Sequence, residues 1–426
     1  MAEPSPPASL ATSAPGSAAG LRLADNSQVE FRPLTITEDD GSVMIGDLAR
    51  GEFIEVPPIA VVVIEALRAG HTIAGTAGIA RAHAGQEVDV ADFVQTMCEL
   101  GFVAGVDGAS IRYEGPELTD GGRAGAVLAR LARPLYSPPA WACYGFLFAA
   151  CLVTIIALPW LRPRYEQLFF LANPVLSLAL LTVISMVLRL LHELAHWVGA
   201  RIEGVPARIT ISRRYFLVVA QTDLSATWAL PRRRRYGPLL AGLAFDVVVL
   251  AALLGMRAAQ HGGWWHLPAA LARLIAALVV LQIFAISFQF LFFLRTDLYG
   301  VLITSLGCLN LSRVSRLRMT RLYRRLTAPE QDELAAADHR DMTAARWYGW
   351  VQLAGLGLAI FYFIAFLVPA VIHLLAWIIT GLARSSPAGS AFWVVLISGC
   401  VACVPVVIPP VSYLLDRRRS RRGRRR

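Results

Sequence analysis

Six apolar stretches in the second two thirds of the chain constrain its fold more than any other feature of the sequence. Each is long enough to cross the hydrocarbon core of a bilayer, which is about 30 Å thick and takes about 20 helical residues. They lie near residues 140–160, 174–200, 238–256, 268–294, 348–373 and 391–415. The chain is 56% hydrophobic and 16% charged, whereas soluble domains are about 45–50% apolar and about 25% charged. We therefore expect a polytopic α-helical membrane protein with about six transmembrane helices.

The distribution of arginine indicates which ends of these helices face the cytoplasm. The two long loops at residues 201–236 and 295–346, together with the tail after residue 416, contain 25 Arg. The loops on the other side contain four, at positions 162, 164, 257 and 384. Because cytoplasmic loops are enriched in basic residues, this pattern predicts a multi-pass protein of a bacterial-type cell membrane with both termini in the cytoplasm. The basic clusters are then anchors at the anionic surface of the lipid bilayer, and no nucleic-acid partner is expected.

Residues 21–108 have the composition of a small soluble domain. Alternating segments at 28–34 and 42–45 predict strands, and apolar residues at helical spacing in 57–69 and 90–100 predict helices. This combination predicts an α+β, winged-helix-like domain. With 14 Asp and Glu against five Arg, the domain carries a net charge of −9, which would repel nucleic-acid phosphates.

The predicted organisation of the chain has five parts. They are a Pro/Ala/Ser-rich disordered tail, the acidic domain, a linker, the membrane domain and a basic cytoplasmic tail, at residues 1–20, 21–108, 109–138, 139–416 and 417–426. Both the acidic domain and the Arg-rich loops are therefore expected on the cytoplasmic side.

The second apolar stretch ends in the sequence HELAH, which begins at His192 and ends at His196. On a helix, two histidines four residues apart project from one face and can bind one zinc ion, while the intervening Glu193 can act as general base toward a water molecule. Ionisable residues within a membrane helix are costly and mark functional sites. A catalytic zinc needs a third protein ligand. Asp297, at the cytoplasmic end of the fourth stretch, fits this role, and Asp246 in the third stretch is the alternative.

Arg189 lies three residues before His192, on the same helical face. It is a candidate to stabilise the oxyanion of a reacting carbonyl or to act as counter-ion to Asp246. The alternative is a structural role, in which its long side chain reaches the membrane interface.

Residues 207–226 alternate between apolar and polar side chains well enough to predict a β-hairpin. Such strands would either lie beside the zinc site and pair with an unwound substrate, or form a cytoplasmic loop that only packs on the membrane.

The segment HELAHWVGARIEGVP resembles the zinc-binding helix of the site-2-protease-like metalloproteases, peptidase family M50. Their third ligand is the Asp of a motif close to NxxPxxxxD, and the segment ending in FQFLFFLRTD aligns with it so that it ends on Asp297. Gln289 stands in place of the motif's Asn, and Phe292 in place of its Pro. Likewise AGLAFD resembles the family's AGPxxN, with Asp246 in place of the Asn. The resemblance implies an intramembrane zinc metalloendopeptidase that binds Zn²⁺, with Gln289 and Asp246 lining the site.

The pattern from FRPLTITEDDGSVMIGDLARGEF to EALRAGHTIAG resembles the PqqD-like domain, also called the RiPP recognition element, over residues 28–105. Such domains hold the leader segments of ribosomally made peptides. The resemblance implies that an extended peptide adds to a strand edge, where backbone hydrogen bonds provide affinity. The alternative is a packing domain without a peptide ligand.

Together the two resemblances predict a membrane protease that removes a leader from, or otherwise matures, a ribosomally synthesised peptide. Its substrate would be a precursor peptide, and other peptide-maturation or export proteins are candidate partners. Two alternatives stay open. One is regulated cleavage of a membrane-anchored signalling protein, and the other is a non-proteolytic scaffold for peptide export or self-immunity, which has no need of Glu193 as a base.

Overall fold

A computed structural model describes residues 23–39, 42–111, 122–214 and 217–402. Both predicted tails and the second half of the last apolar stretch lie outside these described residues. The chain divides into two compact units. The first unit comprises the described parts of Met1–Arg133, His196–Ile209 and Thr222–Pro238, and the second those of Pro134–Ala195, Thr210–Gln221 and Leu239–Arg426.

The N-terminal part of the first unit is a small α+β domain, and the strands and helices predicted for it are confirmed. In chain order its elements are β1 (Val29–Phe31), β2 (Thr35–Asp39), β3 (Ser42–Asp47), β4 (Glu52–Val56), α1 (Ile59–Arg68), α2 (Ile73–Ala84), α3 (Val90–Glu99), β5 (Val103–Val106) and β6 (Ala109–Ser110). Strands β2, β3 and β4 form one antiparallel sheet in that order. In a second sheet β5 lies between β1 and β6.

The alternating pattern of β3 explains how its sheet is covered on both faces. Val43 and Ile45 point to one face and are buried in a core with Val63 and Ile64 of α1. Met44, between them, points to the other face and is also buried. Because successive side chains of a strand alternate between faces, this sheet needs apolar partners on both sides.

The remaining elements are mostly long helices. In chain order they are α4 (Gly122–Ala132), α5 (Pro138–Ala157), α6 (Pro174–Ile202), β7 (Arg208–Arg214), β8 (Leu217–Asp223), α7 (Arg232–His261), α8 (Ala269–Phe288), α9 (Asp297–Leu306), α10 (Leu311–Tyr323), α11 (Ala328–Ala335), α12 (His339–Tyr362), α13 (Val368–Arg384) and α14 (Ser390–Ala402). A π-helical turn, Phe363–Leu367, joins α12 to α13, so that they form one helix of 46 residues. The strands β7 and β8 pair in a two-stranded sheet, which agrees with the predicted hairpin. Helix α4 lies within the predicted linker.

Within the described residues, five helices are long and apolar enough to cross a membrane: α5, α6, α7, α8 and the joined α12–α13. Large apolar side chains on these helices are more than half exposed, among them Phe146, Val153, Val183, Val187 and Leu375. Exposed apolar surface on this scale is rare in soluble monomers and indicates a membrane-embedded protein. The sixth predicted stretch begins with α14 and continues beyond the described residues.

The second face of the β2–β4 sheet packs on chain that leaves α6. Met44 and Phe53 form a buried cluster with apolar residues from the end of α6 and the segment before α7, namely Ala200, Val205, Ala207, Ala226 and Leu230. The hydroxyl of Thr37 donates to the carbonyl of Ala229, at 2.8 Å. The acidic domain is thus tied to the segments that follow the HELAH sequence.

Candidate metal centre

The HELAH residues lie toward the C-terminal end of α6, where the side chains of the two histidines and the glutamate are buried. His192, Glu193 and His196 are each no more than 2% exposed. Neighbouring Leu190 and Leu191 are 51% and 41% exposed. With a 3.6-residue period, His192, Glu193 and His196 lie within about 100° of one another around the helix axis, and Leu190 and Leu191 lie outside that arc.

Asp297 reaches these side chains from a break between two helices. Helix α8 ends at Phe288, and the chain then makes a short 3₁₀ turn and passes through Arg295, whose φ of 55° is left-handed. Asp297 is the first residue of α9, and its Oδ2 lies 3.0 Å from Nε2 of His192. A strained backbone next to a site residue is typical of functional sites.

Gln289 holds Asp297 in place. Its side-chain Nε2 donates to Oδ2 of Asp297 at 2.8 Å, and its Oε1 accepts from the main-chain N–H of Asp297 at 3.1 Å. The hydroxyl of Thr296 donates to the Gln289 carbonyl at 2.6 Å. An amide side chain provides both a donor and an acceptor, so Gln289 can make this two-point contact.

Two imidazoles and one carboxylate thus form a donor set that can hold a metal ion. The ligand atoms of His192, His196 and Asp297 all lie within 4.8 Å of one another. Zinc bonds to His nitrogen and carboxylate oxygen are about 2.0–2.2 Å long, which places the ligands of a tetrahedral ion about 3.3 Å apart. The separation of 3.0 Å between His192 Nε2 and Asp297 Oδ2 is close to that value. The donor types and this one separation are therefore compatible with a bound metal ion.

The second ring nitrogen of each histidine also has an acceptor. Nδ1 of His192 lies 2.8 Å from Oδ2 of Asp246, and Nδ1 of His196 lies 2.7 Å from the carbonyl of Pro238. Metal-binding histidines almost always donate their other N–H to a carboxylate or a carbonyl, which fixes the tautomer. Both histidines are therefore arranged to present Nε2 to a metal ion.

Arg189 contacts Glu193, one turn further along α6. The two side chains form an ion pair of 2.5 Å, in which the Glu193 side chain is buried and the Arg189 side chain is 40% exposed. Asp246 instead contacts His192 and Gln282. The prediction that Arg189 is the counter-ion of Asp246 is thus replaced by a pairing with the candidate base.

The structure brings together the seven residues that the sequence singled out. Asp246 takes a different place from the one expected of a rival ligand, because it contacts the far nitrogen of His192 and does not belong to the group of converging ligand atoms. Sequence reasoning missed Gln282 and the Pro238 carbonyl. A signal for Gln282 was present, since it is an uncharged polar residue in the middle of an apolar stretch. A backbone carbonyl leaves no such signal.

Comparison of the chain with known protein families, with curated proteins and with solved structures finds no match.

Proposed function

We propose that this protein is an intramembrane zinc metalloendopeptidase of the site-2-protease-like kind. The observation that carries the proposal is the convergence of His192, His196 and Asp297 within 4.8 Å, with Glu193 buried beside them. Two histidines, a carboxylate and an adjacent general base are the components of a hydrolytic zinc site.

His192, His196 and Asp297 would hold the ion, which supplies Lewis-acid activation of a water molecule and of the scissile carbonyl. Glu193 removes a proton from the attacking water and passes it to the amine that leaves. Arg189, as the ion-pair partner of Glu193, positions that carboxylate.

The burial of Glu193 favours an enzyme over a scaffold. A carboxylate in an apolar helix is costly, and a metal bound for structural reasons alone does not require one next to its ligands. Glu193 is 2% exposed and is absent from the converging ligand group, so its role as a base explains its place.

The proposed substrate is a precursor peptide bound in part by the acidic domain, which we take to be PqqD-like. Strands β2 and β4 are the outer strands of their sheet, and an outer strand can pair with an added peptide strand. The same sheet packs on chain that follows the HELAH sequence, so a peptide held at its edge would be tied to the segments next to the site. We further propose six membrane spans with both termini in the cytoplasm, based on the arginine distribution.

Removal of the metal tests the proposed activity. The purified chain in lipid nanodiscs is expected to contain one zinc ion per molecule by elemental analysis and to shorten precursor peptides, as followed by mass spectrometry. Treatment with 1,10-phenanthroline should stop cleavage because the water molecule loses its activation, and added Zn²⁺ should restore it. Cleavage that survives complete loss of the metal would contradict the proposal.

Replacing Arg189 with Met tests whether its pairing with Glu193 matters to the reaction. We expect cleavage to slow by about 100-fold, within the range that a well-placed general base contributes, while the zinc content stays at the wild-type level. Arg189→Lys keeps the charge and should retain part of the activity. An unchanged rate in Arg189→Met would instead assign Arg189 to the membrane interface.

A further inference from the structure

Three buried side chains linked by hydrogen bonds, one of them the candidate ligand His192, adjoin the candidate metal centre. His192, Asp246 and Gln282 are 1%, 3% and 2% exposed, and they come from three different helices, α6, α7 and α8. We propose that Asp246, held by Gln282, is the positioning residue that fixes the tautomer and the orientation of His192 for metal binding. This inference rests on the proposed metal site.

Hydrogen bonds connect Gln282 to Asp246 and Asp246 to His192. Nε2 of Gln282 donates to Oδ1 of Asp246 at 2.8 Å and to the main-chain carbonyl of Asp246 at 3.2 Å. The other carboxylate oxygen, Oδ2, lies 2.8 Å from Nδ1 of His192. A carboxylate only accepts hydrogen bonds, so in the proposed arrangement Nδ1 of His192 donates to Oδ2 of Asp246, and Nε2 keeps its lone pair for the metal.

The geometry separates Asp246 from the ligands. The ligand atoms that converge belong to His192, His196 and Asp297, and Asp297 lies on the Nε2 side of the His192 ring. Asp246 lies on the Nδ1 side. The two nitrogens are on opposite flanks of the ring, so Asp246 can act on the ion through His192 and not by direct ligation.

Gln282 completes the arrangement. A buried amide in an apolar membrane helix must find partners, and both described bonds of Gln282 go to Asp246. By occupying Oδ1, the amide leaves Oδ2 for His192. If Asn replaced Asp246 and turned its side-chain oxygen toward His192, its NH₂ group would face the NH₂ group of Gln282. The carboxylate and the amide are thus matched to each other.

The test is the zinc affinity of the full-length chain in nanodiscs, measured by competition with a chromophoric chelator. We expect Asp246→Ala to weaken zinc binding by about 10–100-fold, the usual cost of losing a residue that supports a metal ligand. Asp246→Asn should weaken binding less, because its oxygen still accepts from Nδ1. Gln282→Leu should weaken binding while leaving every ligand in place. The Co²⁺-substituted protein should show a shifted visible absorption spectrum in each variant, because the orientation of the His192 ring changes.

Asp341→Asn is a matched control, because Asp341 is also a buried carboxylate, 2% exposed, and it accepts from the main chain of Asn310. Its zinc affinity and cobalt spectrum should equal those of the wild type. Wild-type affinity and spectrum in both Asp246 variants would overturn the inference, as would a loss of metal in Asp246→Asn as complete as in a ligand variant. If the variants show the expected zinc affinities but the wild type cleaves no peptide, only the proposed activity is overturned. A wild-type chain that binds no zinc would overturn both the proposed activity and this inference.

Discussion

Glu193→Gln is expected to abolish peptide cleavage while the zinc content remains that of the wild type. The exchange keeps the volume of a buried side chain, and the amide oxygen can still accept from Arg189, so the fold should tolerate it. The amide cannot remove a proton from water. Because a positioned general base contributes about 10²–10⁴-fold to a rate, the residual activity should fall to that extent or below detection.

The measurement uses host cells that produce either the wild type or the variant, with mass spectrometry of the small peptides that these cells make. Unprocessed precursor should accumulate in the variant. Glu203→Gln is a matched control, because Glu203 follows α6 and pairs with Arg234 away from the ligand group. Normal processing in Glu193→Gln, together with lost export or immunity, would support the scaffold alternative instead.

Asp297→Ala is expected to remove the metal and with it all cleavage. The carboxylate is the third member of the converging ligand group, and its loss leaves two imidazoles, too few for a catalytic zinc site. We expect zinc affinity to fall by more than about 100-fold, which is the largest loss usual for a residue that only supports a metal ligand. Elemental analysis after dialysis and chelator competition measure both quantities.

Asp332→Ala in α11 is the control for this exchange, because Asp332 is exposed and is not in the ligand group. Gel filtration distinguishes a folded chain without metal from an unfolded one. A folded Asp297→Ala chain that retains zinc at wild-type affinity would remove Asp297 from the proposed site, and a ligand role for Asp246 would then have to be considered again.

The two histidines show how much of the site could be predicted from the sequence. Their spacing of four residues dictates a shared face on any helix, and the apolar run before them dictates a helix long enough to cross a membrane. Both rules are local, so α6 and its inward-facing pair were predictable. The strands and helices of the acidic domain followed from period-2 and helical patterns in the same way.

The partners of these histidines could not be predicted with the same certainty, because they depend on long-range packing. Asp297 is 105 residues from His192, and Asp246 is 54 residues away. From the sequence alone, both carboxylates fit the third ligand position. The identity of the atom that each approaches, Nε2 or Nδ1, depends on how α6, α7 and α9 are placed against each other.

The sequence by itself thus determined the apolar helices, the candidate metal-binding histidine pair and the glutamate between them, since helix periodicity and apolar length act over neighbouring residues. Only the tertiary structure decided that Asp297 lies in the candidate ligand group, that Asp246 contacts Nδ1 of His192, and that Arg189 pairs with Glu193. These assignments are differences of a few ångströms between side chains on separate elements or successive turns, and only the packed fold sets such distances.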